Sequence, residues 1–131
     1  MKPLAVVAGI VVQDGRVLIA RRPMHKESGG LWEFPGGKIE QGETPQQALE
    51  RELWEEMDFS VRVGPIWDAR IRSGEGDGVL ILFYRCQPGC KEPKALEHSE
   101  LKWVLPCEIL DYDFPPADRA VAERIARDET L

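Results

Sequence analysis

Residues Gly36–Phe59 read GGKIEQGETPQQALERELWEEMDF, and the second half of this stretch is patterned as a helix. Thr44 stands where an N-cap belongs, Pro45 takes the first helical position, and Gln47 completes a T-x-x-Q capping box. At 100° per residue Leu49, Leu53 and Met57 fall on one apolar stripe. Glu52, Glu55 and Glu56 form a second stripe directly beside it. Like charges at this spacing destabilise an isolated helix by roughly 0.2–0.5 kcal/mol per pair. Most glutamate-rich helical faces are simply solvated, and three clustered acids alone make a weak case for anything else. The cluster makes sense if a hard divalent cation neutralises it, because carboxylate and carbonyl oxygens suit Mg²⁺ or Mn²⁺.

Composition frames this helix. The chain has 131 residues, 43% apolar and 31% charged, which predicts one globular domain spanning 1–131 with a hydrophobic core. The longest apolar run, Leu4 to Val12, is too short to span a bilayer. No small-residue cleavage site follows it, only the turn Gln13-Asp14-Gly15, so a cytoplasmic location is expected. Three cysteines, Cys86, Cys90 and Cys107, show no zinc spacing and read as reduced thiols. A formal charge of −6 argues against a nucleic-acid polymer as partner. It does not argue against a small polyphosphate substrate, provided metal ions lie between the two sets of oxygens.

Outward from the acidic helix, Leu4–Val12 and Arg16–Arg21 read as strands joined by a hairpin at Asp14-Gly15. Met24–Gly30 is a loop, Leu31–Phe34 a short apolar segment, and Pro35-Gly36-Gly37 a turn able to approach a ligand. Val61–Ser73 holds one or two strands with a break or bulge at Gly64-Pro65, and Gly74–Gly78 is a turn. Val79–Cys86 is apolar enough for a central strand. Leu101–Leu105 reads as a strand, Pro106–Leu110 as a short helix, and Ala117–Arg127 as a terminal helix. The pattern predicts an α/β (α+β) chain with a mixed sheet between helices.

The glycines, Glu43 and the acidic helix combine into G-x5-E-x7-R-E-U-x-E-E-x-x-U with U apolar, carried by Gly37, Glu43, Arg51, Glu52, Leu53, Glu55, Glu56 and Phe59. This resembles the signature of the Nudix hydrolases, which cleave a nucleoside diphosphate linked to another moiety. Asp58 stands where that family usually has Gly, at the helix end, where Asp tolerates left-handed geometry. LWEFPGGKIE, the paired arginines after the second strand, and DFPPAD are similar to the MutT branch, which cleaves nucleoside triphosphates to monophosphate and pyrophosphate. The resemblance covers essentially the whole chain and implies an α/β/α sandwich. It implies Glu52 and Glu56 as metal ligands, with Glu55 and the Gly36 or Gly37 carbonyl completing the shell of a Mg²⁺ ion, or of Mn²⁺. One carboxylate, Glu52 first and Glu97 second, accepts the proton of the attacking water. Arg51 belongs to the same catalytic set, pairing with Glu43 to fix the loop against the helix.

Three residues are candidates for holding the nucleotide. Arg22 contacts a phosphate or base, or is a surface arginine. Phe34 packs against a base or fills core. Asp118 lies in the first turn of the last helix, where an acid also simply meets the helix dipole. The MutT branch has an Asn at this position; an ionised Asp is acceptor-only and takes the paired N1–H and N2–H₂ donors of guanine. Cytosine, with an N4 amine beside the N3 acceptor, needs the acid protonated, yet Asp also resembles the CTP-cleaving relatives. The expected activity is a Mg²⁺-dependent nucleoside triphosphate pyrophosphohydrolase sanitising 8-oxo-dGTP, with CTP or a modified cytidine triphosphate as the enzymatic alternative. A non-catalytic Nudix-like binding module is the alternative of a different class, disfavoured because every box carboxylate is kept. A monomer and a homodimer are both compatible with the sequence, and His98 receives no role.

Overall fold

The computed structural model describes residues 4–72, 78–127 and 131. In chain order it contains β1 (Leu4–Gln13), β2 (Arg16–Arg21), β3 (Trp32–Glu33), β4 (Gly36–Lys38), α1 (Pro45–Met57), β5 (Val61–Arg72), β6 (Val79–Pro88) and β7 (Glu100–Val104). A 3-10 helix (Pro106–Asp111) and α2 (Pro116–Ala126) follow. The strands run β3-β2-β1-β6-β5 across one mixed sheet, with β4 added to β1 and β7 to β2. The β1–β6 pair is parallel from Leu4 opposite Val79 to Val11 opposite Cys86. The remaining pairs are antiparallel.

Strand alternation sorts the core into two layers. Ile10, Ile19 and Phe83 face Val121, Ile125 and Ile109, so α2 and the 3-10 helix cover one side of the sheet. Val7, Val11, Leu18 and Tyr84 face Leu49, Leu53 and Met57 of α1 on the other. This is the α/β/α sandwich. Complete burial of each α1 stripe residue contributes roughly 1.5–3 kcal/mol, which outweighs the repulsion on the neighbouring acidic stripe.

Local signals hold where they are strong. Asp14 (φ 52°) and Gly15 (φ 75°) make the two-residue hairpin turn between Gln13 and Arg16. Thr44 accepts from the Gln47 N–H at 3.1 Å while its own N–H donates to the Gln47 side chain at 3.0 Å. Asp58 ends α1 at φ 49°, and its carboxylate binds Lys91 at 2.8 Å and Lys94 at 3.3 Å, an anchorage glycine lacks. Gly64-Pro65 lies within a run of register irregularity in one continuous strand. The terminal helix begins one residue earlier than expected, at Pro116, and ends at Ala126. Of the turn expected at Gly74–Gly78, only Gly78 (φ 81°) lies within the described residues.

One reading is corrected. Gly36-Gly37 is not a turn but the start of β4, pairing with Ala8 and Val7 of β1. A Cβ at position 36 would run into the Val7 carbonyl, so glycine permits the close backbone approach. Among the described residues no helix is long and apolar enough to cross a membrane.

Candidate active site

Arg51 is the hub of the α1 face. Its Nε and Nη2 grip the two Glu43 oxygens at 2.7 and 3.0 Å, a bidentate pair. Nη1 donates to Glu52 at 3.0 Å and to Glu55 at 3.3 Å, and Nη2 to the Lys38 carbonyl at 3.0 Å. One guanidinium thus pins the loop after β4 to the helix. The Glu43 carboxyl is held below its usual range by that bond and by the Glu40 N–H. Arg51 is raised in turn, chiefly by its bond to Glu43. Glu52 shifts upward because burial outweighs the Arg51 bond. A Cβ at Gly37 would collide with the Glu52 carboxylate, so this glycine brings backbone directly against that acid.

Glu56 differs from its neighbours. Its Oε1 is buried with no hydrogen-bond partner. Burial, then the charges of Glu52, Glu33 and Glu97, push its carboxyl up to about 9. It lines a half-open cleft of ≈ 70 Å³ together with Arg22, Lys26, Glu33, Glu97 and His98. The structure therefore brings Glu97 and Arg22 to the same cleft as Glu56. Glu52 and Glu55 meet at Arg51.

These residues fit a hard divalent cation on three observations: the unpartnered buried Glu56 oxygen, the acidic neighbours around it, and the backbone brought against Glu52 by Gly37. Among the described residues no three acidic, His or Cys side chains already converge at ligand distance. The bonds from Arg51 Nη1 to Glu52 and Glu55 account for part of this.

Asp118, on the α2 side, is only 9% exposed. Its Oδ2 accepts the Phe34 N–H at 3.1 Å. Burial pushes this acid up to about 7, opposed by the Phe34 bond and by the more distant Arg72 and Arg22 charges. The expectation of two free acceptor oxygens is thereby narrowed, since one is already engaged. Phe34 packs in the core: the residue is 3% exposed, its ring stacked on Phe114 at 5.6 Å and edge-on to Phe83 at 6.0 Å. Its backbone N–H is the group that reaches Asp118.

Sequence reasoning passed over Glu33 and His98. His98 Nε2 meets Glu33 Oε2 at 2.9 Å, and Glu33 Oε1 accepts from Arg22 Nη1 at 3.1 Å. The available signal was the acid between Trp32 and Phe34, polar in an otherwise apolar segment.

A family model described as NUDIX domain matches residues 1–125. The chain is 38% identical over 123 residues to the CTP pyrophosphohydrolase of Escherichia coli K12, covering 94% of this chain and 91% of that protein. It is 30% identical over 128 residues to the 8-oxo-dGTP diphosphatase of the same organism, covering 97% and 99%. The crystal structure of the MutT protein from Methanosarcina mazei Go1 superposes with a TM-score of 0.85 at 26% identity, covering 99% of this chain and 98% of that one.

Proposed function

From the premise that the chain belongs to the Nudix hydrolase family, we propose that it is a Mg²⁺-dependent nucleoside triphosphate pyrophosphohydrolase of the cytoplasm, releasing nucleoside monophosphate and pyrophosphate. The observation that carries this reading is Glu56, a carboxylate with a buried, unpartnered oxygen on a cleft that also holds Arg22 and Glu97. Glu52 and Glu56, with Glu55 and the Gly36 or Gly37 carbonyl, would hold the ion. A bound divalent ion supplies charge neutralisation at the phosphates and a more acidic water.

The chain's own residues supply the rest. Glu97, on the cleft with Glu56, is assigned the proton of the water that attacks phosphorus. Glu52 is the weaker candidate for that proton, because its Oε1 already accepts from Arg51. As the water oxygen bonds to phosphorus, the bond to the bridging oxygen breaks and pyrophosphate departs. Arg22 lies on the cleft as a cation for the phosphates. Arg51 holds Glu43, Glu52 and Glu55 in place and has no free direction toward substrate.

Asp118 reads the base. With Oδ2 occupied by Phe34, Oδ1 is the oxygen left to meet it, an acceptor when ionised and a donor when protonated. The main reading is an oxidised purine triphosphate such as 8-oxo-dGTP. A second reading, CTP or a modified cytidine triphosphate, is favoured by the carboxyl's rise to about 7, since the protonated acid's remaining oxygen, Oδ1, can donate to cytosine N3. Hydrolysis rates over a panel of normal and oxidised triphosphates, with product identification, test both. Release of orthophosphate in place of pyrophosphate would overturn the reaction itself.

A further inference from the structure

His98 and Asp118 are the buried polar side chains among the described residues. The His98 side chain is 5% exposed. Its Nε2 faces the Glu33 carboxylate at 2.9 Å and so carries the hydrogen of that bond, leaving Nδ1 buried without a partner. Placing a ring there costs desolvation, and the Glu33 bond is what offsets it.

The bond sits at a mechanical junction. Glu97 precedes His98 in a segment outside helix and strand, between the Leu96 N–H···Lys94 carbonyl turn and the start of β7. Only after His98 does the chain meet β2, where the Ser99 N–H and hydroxyl reach the Arg21 carbonyl at 3.0 and 3.3 Å. On the far side, Glu33 is held by Arg22, whose Nε donates to the Glu27 carbonyl at 2.7 Å. His98–Glu33–Arg22 is thus a continuous polar strut from the Glu97 segment to the 22–31 loop, and all three residues line the cleft.

We propose that His98 is a positioning residue: its Nε2–H···Glu33 bond holds the Glu97 segment at a fixed span from the α1 carboxylates. The proposal rests on Glu97 as proton acceptor. A carboxylate on an untethered segment samples many placements, and misplacing an acting group by about 1 Å costs up to roughly a hundredfold in rate.

The test compares His98→Leu, which removes the donor and keeps bulk, with His98→Gln, whose amide restores one. Steady-state kinetics at saturating Mg²⁺ are read beside hydrogen exchange at the Ser99 amide. His98→Leu is expected to lower kcat by about tenfold to a hundredfold with KM within about twofold, and to speed Ser99 exchange. His98→Gln restores most of both. Combining His98→Leu with Glu33→Ala should cost no more kcat than the worse single change, because both cut the same strut. Normal kcat and unchanged Ser99 exchange in His98→Leu overturn the proposal, as do additive losses. Should His98→Leu fail to fold, His98→Asn replaces it, its shorter amide falling short of Glu33. Glu97→Gln separates the two levels. Full activity there overturns the proton-acceptor reading and the catalytic meaning of the tether, while the tether itself stands or falls on Ser99 exchange.

Discussion

Two desolvated carboxylates, the half-buried Glu56 on the α1 side of the sheet and the buried Asp118 on the α2 side, have met that desolvation differently. Asp118 has a backbone N–H for one oxygen and is raised to about 7. Glu56 has an orphaned oxygen, three acidic neighbours, and is raised to about 9. A donor already in place marks an acid that meets a neutral hydrogen-bonding partner. A buried oxygen without a donor, amid other acids, is the one that the proposed cation would satisfy. Burial alone does not separate the two proposed roles, base reading and ion binding; the proposals rest on the difference in partners.

The contrast breaks first at Glu56. Glu56→Gln should lower kcat by about two orders of magnitude or more, because the proposed ion loses a carboxylate ligand worth several kcal/mol of charge stabilisation, while the fold stays intact or gains stability. A variant with near-normal kcat would make Glu56 an ordinary helix acid. Asp118→Asn should instead move selectivity between bases by about one to two orders of magnitude, because a buried bond to a charged group is worth roughly 1.5–3 kcal/mol. Asp118→Ala should raise KM more than it lowers kcat. An unchanged substrate order in both variants would reduce Asp118 to a helix-terminus acid.

Smaller effects sharpen the comparison. Mg²⁺ at about one hundred times its Kd should stabilise the native state by about 2.7 kcal/mol, seen as a higher Tm that chelator abolishes along with turnover. Glu56→Gln should blunt that response and Asp118→Asn should not. Without metal, stability should drift with pH. Unfolded, Glu56 ionises near 4.5; folded, it keeps its proton to about 9, so the unfolded chain binds fewer protons in between and stability falls as pH rises through that window. Asp118 adds the same sense from near 3.8 to about 7. Denaturant midpoints from pH 5 to 9 should therefore decline, and Glu56→Gln should flatten the upper part.

What the sequence made legible was local. The capping box, Pro45 and the 49–53–57 stripe lie within a few turns, and each appears as read. The Glu43–Arg51 pair was equally accessible, being eight residues apart. Glu97 and Asp118 entered by resemblance, since a loop acid and a helix-terminus acid carry no pattern of their own. β4 escaped because two glycines have neither period nor propensity; only β1 makes them a strand. Phe34 N–H to Asp118 spans 84 positions and Glu33 to His98 spans 65, beyond any windowed reading.

The parallel β1–β6 seam has a consequence for how the chain comes into being. β1 is made first, yet its eight-position partner strand ends past Cys86, so during synthesis Val7 and Val11 have the β2 hairpin, β4 and α1 beside them but wait for β6 along the whole parallel seam. Parallel pairing across so long a loop is slow, and an apolar strand left waiting is exposed to wrong partners. A nascent chain released after β5 would carry Glu52, Glu55 and Glu56 on α1 but lack Phe83, Tyr84 and Cys86, much of the floor on which the two layers close. Such a fragment would own the acidic signature without the site, and the ribosome must travel well beyond the motif before the motif means anything.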